Sequence, residues 1–181
     1  MATTTTPMSL AEFEALDHDG AEDLELLKGE LIRMPFAQKK HMLVSESLFE
    51  QCKAALEHLR RTMPDRKFGR VHIEMGYDFP DDDETSWLKP DVSLTHPDQP
   101  GNRYYVGAPL IAFEIVSENE AAQRLDEKVA VYLAHGASEV WVIYPVRRHA
   151  LVYTVSGVRN ETRAFQTDLL PGVEIPLDQI L

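Results

Sequence analysis

The run LIAFEIVS at residues 110–117 constrains this chain more than any other stretch. Consecutive apolar side chains, several of them β-branched, suit a strand covered on both faces, so the run is predicted to be central in its sheet. Its only charge is Glu114, flanked by Phe113 and Ile115. A helix is predicted next, over about 121–135, from the apolar stripe Leu125, Val129, Tyr132 and Leu133, with Gly136 as its stop. EVWVIYP at 139–145 follows as a second buried strand, and ALVYTV at 150–155 pairs back on it across a turn at 147–149. Strands and helices mixed in this way indicate an α/β fold, a mixed β-sheet flanked by helices.

The flanking segments fit the same single domain. Residues 1–8 read as a flexible N-terminal tail and 9–181 as one domain, with no internal repeat or linker. Ser9 and Glu12 form a capping-box pattern that opens a short helix to about Leu16. LELLKGELIRMP reads as a tight hairpin turning at Lys28-Gly29 and closed by Pro35. A longer helix is predicted over 39–61, burying Val44, Leu48, Cys52, Ala55, Leu56 and Leu59. In FGRVHIEMGYDFP, Val71, Ile73, Met75, Tyr77 and Phe79 alternate with His72, Glu74 and Asp78, the pattern of one half-buried strand. The acidic DDDE at 81–84 reads as a turn or loop, KPDVSLT at 89–95 as a short strand, and 156–181 as one or two edge strands with a terminal turn.

Composition excludes several classes of function. At 181 residues the chain is long enough for one core and short for two. No apolar run approaches the roughly 20 residues that cross a bilayer, so no membrane partner is expected. The start MATTTTPMSL lacks the basic and apolar regions of a secretory signal. The single cysteine, Cys52, excludes an internal disulfide and a thiolate-cage zinc site, and points to a reducing cytoplasmic setting. With 18 Lys+Arg against 30 Asp+Glu, the net charge of −12 argues against tight non-specific binding to nucleic acid.

Glu114 is the most informative residue for chemistry. A carboxylate inside a buried strand is costly unless it is paired or binds a metal, and the two explanations are about equally common. Asp91 follows Lys89-Pro90 at a strand start, where a turn or cap aspartate is the ordinary reading. Antiparallel pairing of its strand with 110–117 would present Asp91 and Glu114 on one face, as a hard divalent ion needs. Lys128 lies about 60° from the centre of its helix's apolar stripe. A snorkelling lysine is the commoner case there, but the short connection from Glu114 lets Lys128 turn back towards that carboxylate. Auxiliary candidates are His41, on the buried stripe of the long helix and more often a satisfied semi-core histidine than a ligand, and Glu30 on the hairpin. Glu25 could likewise add a carboxylate, although solvated charge is the commoner fate of both hairpin glutamates. Glu74 is predicted exposed. No zinc-spaced histidines, GxSxG, GxGxxG or P-loop occurs.

The order LELLKGELIRM, a His-led helix, KPDVSLT, LIAFEIVSEN and LDEKVAVYLAHGASEVWVIYP resembles the Uma family of bacterial endonucleases over about residues 24–155. The resemblance implies the PD-(D/E)XK, restriction-endonuclease-like fold. It makes Pro90-Asp91 the PD, Glu114 the acidic position, and Lys128 a lysine moved to the following helix, because Val116 occupies the usual lysine position. The chain departs from the pattern at Lys28, Arg124, Tyr144-Pro145 and Ser117-Glu118.

By the same resemblance the expected activity is metal-dependent hydrolysis of DNA phosphodiester bonds. Mg²⁺ or Mn²⁺ would be held by Asp91, Glu114 and the carbonyl of Ile115, with Lys128 orienting or activating water. A homodimer is expected by analogy with enzymes that cut both strands. Two rivals stand beside this reading. One is a catalytically silent nuclease-fold protein with a regulatory or protein-binding role, which the net charge favours; the other is a non-nuclease metal enzyme on the same fold.

Overall fold

The computed structural model describes residues 7–16, 23–34, 38–80, 85–117 and 122–181. Pro35, the DDDE stretch and residues 1–6 of the predicted tail lie outside them; Met8 is described, and its N–H donates to the Gly29 carbonyl at 2.9 Å. Helix α1 (Leu10–Glu14) starts at the predicted capping box, with Ser9 N donating to Glu12 Oε2 at 2.8 Å. It buries Phe13 against Trp87, ring centroids 5.2 Å apart. Strands β1 (Asp23–Leu27) and β2 (Glu30–Met34) form the predicted hairpin. Both turn residues are left-handed, Lys28 at φ 51° and Gly29 at φ 74°, the backbone a two-residue turn needs to match strand twist.

Helix α2 (Lys39–Thr62) buries Val44, Leu48, Cys52, Leu56 and Leu59, at the predicted spacing. The alternating segment that follows is two strands rather than one, β3 (Val71–Ile73) and β4 (Tyr77–Phe79), in different sheets. Two more strands return beside them, β5 (Ser86–Leu88) and β6 (Val92–Leu94). The register is continuous through both pairs: Val71 faces Leu94, Ile73 faces Val92, Tyr77 faces Leu88 and Phe79 faces Ser86. The four strands are therefore one long hairpin, bent in its middle so that one half joins each sheet. At the bend Glu74 takes φ 47°, its N–H reaches the Asp91 carbonyl at 3.1 Å, and Pro90 removes a donor from the ladder. Gly76 is required there, since a Cβ would lie 2.3 Å from the Trp87 ring.

Strand β7 (Tyr105–Val106) is followed by β8 (Ile111–Ile115), α3 (Ala122–Ala134) and β9 (Glu139–Tyr144), with β9 parallel to β8. β10 (His149–Thr154) and β11 (Gly157–Glu161) complete the sheet. Among the described residues its order is β11-β10-β9-β8-β6-β3, which makes β8 central as predicted. A second sheet runs β2-β1-β5-β4-β7. β11 is an edge strand, as expected after residue 156, and a small hairpin of β12 (Ala164–Gln166) and β13 (Glu174–Pro176) follows it before the expected terminal turn, a 3-10 turn (Leu177–Gln179). The fold is mixed α/β, as the sequence pattern implied.

Two apolar cores divide at the six-stranded sheet. One joins α2 to Val92, Leu94, Ile111, Phe113 and Ile115. The other joins α3 to Ala112, Val140, Val142 and to Leu27, Tyr77, Phe79 and Leu88 of the second sheet. α3 thus lies where both sheets can reach it. No helix among the described residues is long and apolar enough to cross a membrane.

Candidate active site

Successive side chains of a strand point to opposite faces. In β8 this sends Ile111, Phe113 and Ile115 into the α2 core and leaves Glu114 facing α3. β6 pairs antiparallel to β8, with Val92 opposite Phe113; one step further along that register sets Asp91 opposite Glu114. Asp91 also holds the strand end together, because its Oδ2 accepts the N–H of Ile115 at 2.6 Å. The Ile115 carbonyl leaves the strand on the same side as its N–H, so it faces the Asp91 edge too.

Lys128 and Tyr132 lie one turn apart on α3 and both reach Glu114. The Lys128 ammonium donates to Glu114 Oε2 at 2.8 Å, and the Tyr132 hydroxyl donates to Oε1 at 2.7 Å. Lys128 is 2% exposed, which rules out the snorkelling alternative. Its second partner comes from the other sheet: Glu25 of β1, 1% exposed, lies with both carboxylate oxygens 3.2 Å from the ammonium. Glu25 Oε1 also accepts the Lys89 N–H at 2.9 Å. On the other side of the cluster, His41 Nε2 lies 3.2 Å from Asp91 Oδ1, and these two side chains keep 15% and 18% exposure. Asp91 and His41 therefore form the open edge, and Glu25, Glu114, Lys128 and Tyr132 the closed interior.

The electrostatics follow from this packing. Burial alone would push the Lys128 pKa down, but the Glu114 and Glu25 carboxylates outweigh it and hold it above the ordinary lysine value. The surrounding carboxylates thus favour the ammonium form of Lys128. Burial, then the same two carboxylates, pushes the Tyr132 phenol well above its usual range, so it stays a donor.

Three of the predicted residues, Asp91, Glu114 and Lys128, come together, and the auxiliary His41 joins them through Asp91. Glu30 does not: it is exposed at the hairpin end. Glu25, read from sequence as more often solvated, is instead buried against Lys128, and Tyr132, read as a core residue, bonds to Glu114. A residue four positions from Lys128 on the same helical face was the available signal for Tyr132. Glu74 is exposed, as predicted.

The donor set suits a hard divalent cation. Asp91, Glu114 and the Ile115 carbonyl offer oxygen ligands, and the carboxylates of Glu25, Asp91 and Glu114 outnumber the one buried ammonium. Among the described residues no group of three or more His, Cys, Asp or Glu side chains could hold a metal. A cation here would rest on two carboxylates, a carbonyl and water, a set that Mg²⁺ commonly accepts.

The family model Uma2, described as "Putative restriction endonuclease", matches residues 10–179. Among solved structures, the chain is similar to a putative nuclease belonging to DUF820 from Anabaena variabilis ATCC 29413. The two share 19% identity and a TM-score of 0.74, covering 96% of this chain and 97% of that one. That likeness establishes a shared fold. No curated protein matches the chain.

Proposed function

Because this chain belongs to the Uma2 family, whose model is described as a putative restriction endonuclease, we propose that it is a metal-dependent endonuclease. It hydrolyses DNA phosphodiester bonds at Asp91, Glu114 and Lys128. Family membership supports a nuclease role; the metal, the DNA substrate and the residue roles are the proposal. The observation that carries it is the convergence of Asp91 and Glu114 from paired strands under the Lys128 ammonium, 2.8 Å from Glu114.

Asp91, Glu114 and the Ile115 carbonyl hold Mg²⁺ or Mn²⁺ in this reading. Once bound, the ion supplies Lewis-acid polarisation of a phosphate oxygen and acidifies a bound water. Lys128, whose ammonium form the neighbouring carboxylates favour, orients the water and contributes positive charge against the charge that grows on the phosphate. Tyr132 fixes the rotation of Glu114 by donating to Oε1, and His41 does the same for Asp91 from the open edge. Substrate reaches the site from that edge. Exposed Lys39 and Lys40 precede His41 in the first turn of α2, which carries no acidic residue. Local cations and the helix N-terminus thus offset the overall charge of −12 where a phosphate would approach. The enzyme acts in the cytoplasm as a homodimer, one site for each strand of a duplex.

The second reading, a catalytically silent nuclease-fold protein with a regulatory or protein-binding role, is favoured by the closed interior, where both Glu114 oxygens already accept hydrogen bonds. Cleavage of supercoiled plasmid separates the two. The full chain with Mg²⁺ or Mn²⁺ is expected to nick it, and a chelator to stop it. Asp91→Asn and Lys128→Met should lose about 100-fold or more. No cleavage by the wild type across metals, or equal cleavage by Asp91→Asn, favours the silent reading. Light scattering on the same samples tests the dimer.

A further inference from the structure

Lys128 poses a problem for its own site. The cation proposed above needs the Glu114 carboxylate, yet Lys128 donates to Glu114 Oε2 at 2.8 Å. A divalent ion that takes this oxygen removes the ammonium's closest partner, and a buried ammonium without a carboxylate is strongly disfavoured. The lysine would have to leave the interior or block the ion, unless a second carboxylate stands ready.

Glu25 meets that requirement in three respects. It is 1% exposed, so its charge is not satisfied by water. Both of its oxygens lie 3.2 Å from the ammonium, but Oε2 accepts no hydrogen bond. An ammonium has three N–H groups, and a small rotation brings one of them onto Oε2. Glu25 also belongs to β1 of the other sheet, with the Lys89 N–H donating to its Oε1 at 2.9 Å, so it approaches Lys128 from a different strand than Glu114 does.

We propose that Glu25 is the reserve counter-ion of Lys128: when a divalent cation occupies Glu114 Oε2, the ammonium transfers from Glu114 to Glu25 and remains in the site. Glu25 is thereby a positioning residue and not a metal ligand. This rests on the metal-site reading above. It gives the buried glutamate of the hairpin a role that a simple structural ion pair does not require, namely spare acceptor capacity at Oε2.

Two measurements on the full chain test it. The first compares crystals grown without metal and with Mn²⁺ located by its anomalous signal. The expected result is Mn²⁺ on Asp91 and Glu114, the Lys128–Glu114 contact broken, and both Glu25 oxygens hydrogen-bonded to Lys128. Mn²⁺ coordinated by Glu25, or Lys128 still bonded to Glu114 Oε2 beside the ion, overturns the proposal. The second titrates Mn²⁺ by calorimetry into wild type, Glu25→Gln and Lys128→Met, each checked for folding by circular dichroism. Glu25→Gln is expected to weaken Mn²⁺ binding about 10- to 100-fold, as loss of an outer-shell partner does. Lys128→Met should tighten it, because a competitor for Glu114 is gone. Unchanged affinity in folded Glu25→Gln overturns the proposal alone. No Mn²⁺ binding by the wild type, in crystal or calorimeter, overturns the metal site and the proposal with it.

Discussion

Towards α2 the six-stranded sheet presents Val92, Leu94, Ile111, Phe113 and Ile115; towards α3 it presents Ala112, Val140, Val142 and, at one end, Glu114. The same strand, β8, supplies both faces, and all five of its residues are buried. On the α2 side burial is stabilising without further conditions, since apolar surface leaves water and nothing polar is stranded. On the α3 side burial is tolerated only because Lys128 and Tyr132 donate to the Glu114 carboxylate, and Glu25 of β1 shares the Lys128 ammonium. The first arrangement is robust and inert, and the second is conditional on every partner being present. Conditional burial is where chemistry can be placed.

Removing the centre of the conditional face has the largest expected effect. Lys128→Ala leaves Glu25 and Glu114 buried without their cation and is expected to cost about 3–5 kcal/mol in urea unfolding. Lys128→Met, which keeps the stem, should be better tolerated as a fold. A cost below about 1 kcal/mol for Lys128→Ala would mean the cluster is wet or open, and the contrast between faces would disappear. Leu48→Ala on the inert face is expected to cost about 2–5 kcal/mol by leaving a cavity. The two variants should diverge in how the cost responds to pH.

The alkaline limb sharpens that divergence. Lys128 has its folded pKa raised above the ordinary 10.5, opposed by burial and driven by Glu114 and Glu25. The unfolded chain releases this proton first, so the stability Lys128 contributes is full below about 10.5 and is lost as pH rises towards the folded value. Tyr132 acts in the same direction. Burial raises its pKa, the unfolded phenol ionises from about 10, and the folded one resists. Wild type should therefore lose stability above pH 10, Leu48→Ala in parallel with it, and Lys128→Met less steeply. Parallel curves for all three would remove the cluster from the alkaline response. Tyr132→Phe, which deletes one hydrogen bond to a buried carboxylate, is expected to cost about 1.5–3 kcal/mol at neutral pH.

The inert face was the more legible in sequence. α2 and β8 carry unbroken periodic patterns, and both appear where those patterns set them. The bent hairpin was not legible, because the alternation of 71–79 continues in register through the bend while the backbone passes to another sheet. β5 carries no strand signal of its own beside the acidic stretch, although all three of its residues are buried. In the site, Asp91, Glu114 and Lys128 could be read from a family resemblance and from the oddity of a charge in an apolar strand. Glu25 could not, because its partner lies 103 positions away in the chain, and Tyr132 had only its place one turn from Lys128 to mark it. A hairpin glutamate and an apolar-stripe tyrosine look ordinary until a third element arrives between them.

The smallest expected effect provides the closest control. Glu25 and Glu30 belong to one hairpin, and local sequence gives no reason to separate them. The fold separates them by position along the strand: Glu25 faces Ile32 in mid-ladder and meets α3, while Glu30 pairs with Leu27 beside the turn and stays exposed. Glu30→Gln should therefore change stability by no more than about 0.5 kcal/mol and leave Mn²⁺ affinity and plasmid cleavage as in wild type. Glu25→Gln, the same chemical change on the same hairpin, should move the metal affinity. If Glu30→Gln proves as damaging, the hairpin turns towards the site in the working protein. The open edge would then lie beside β2 rather than at Asp91 and His41.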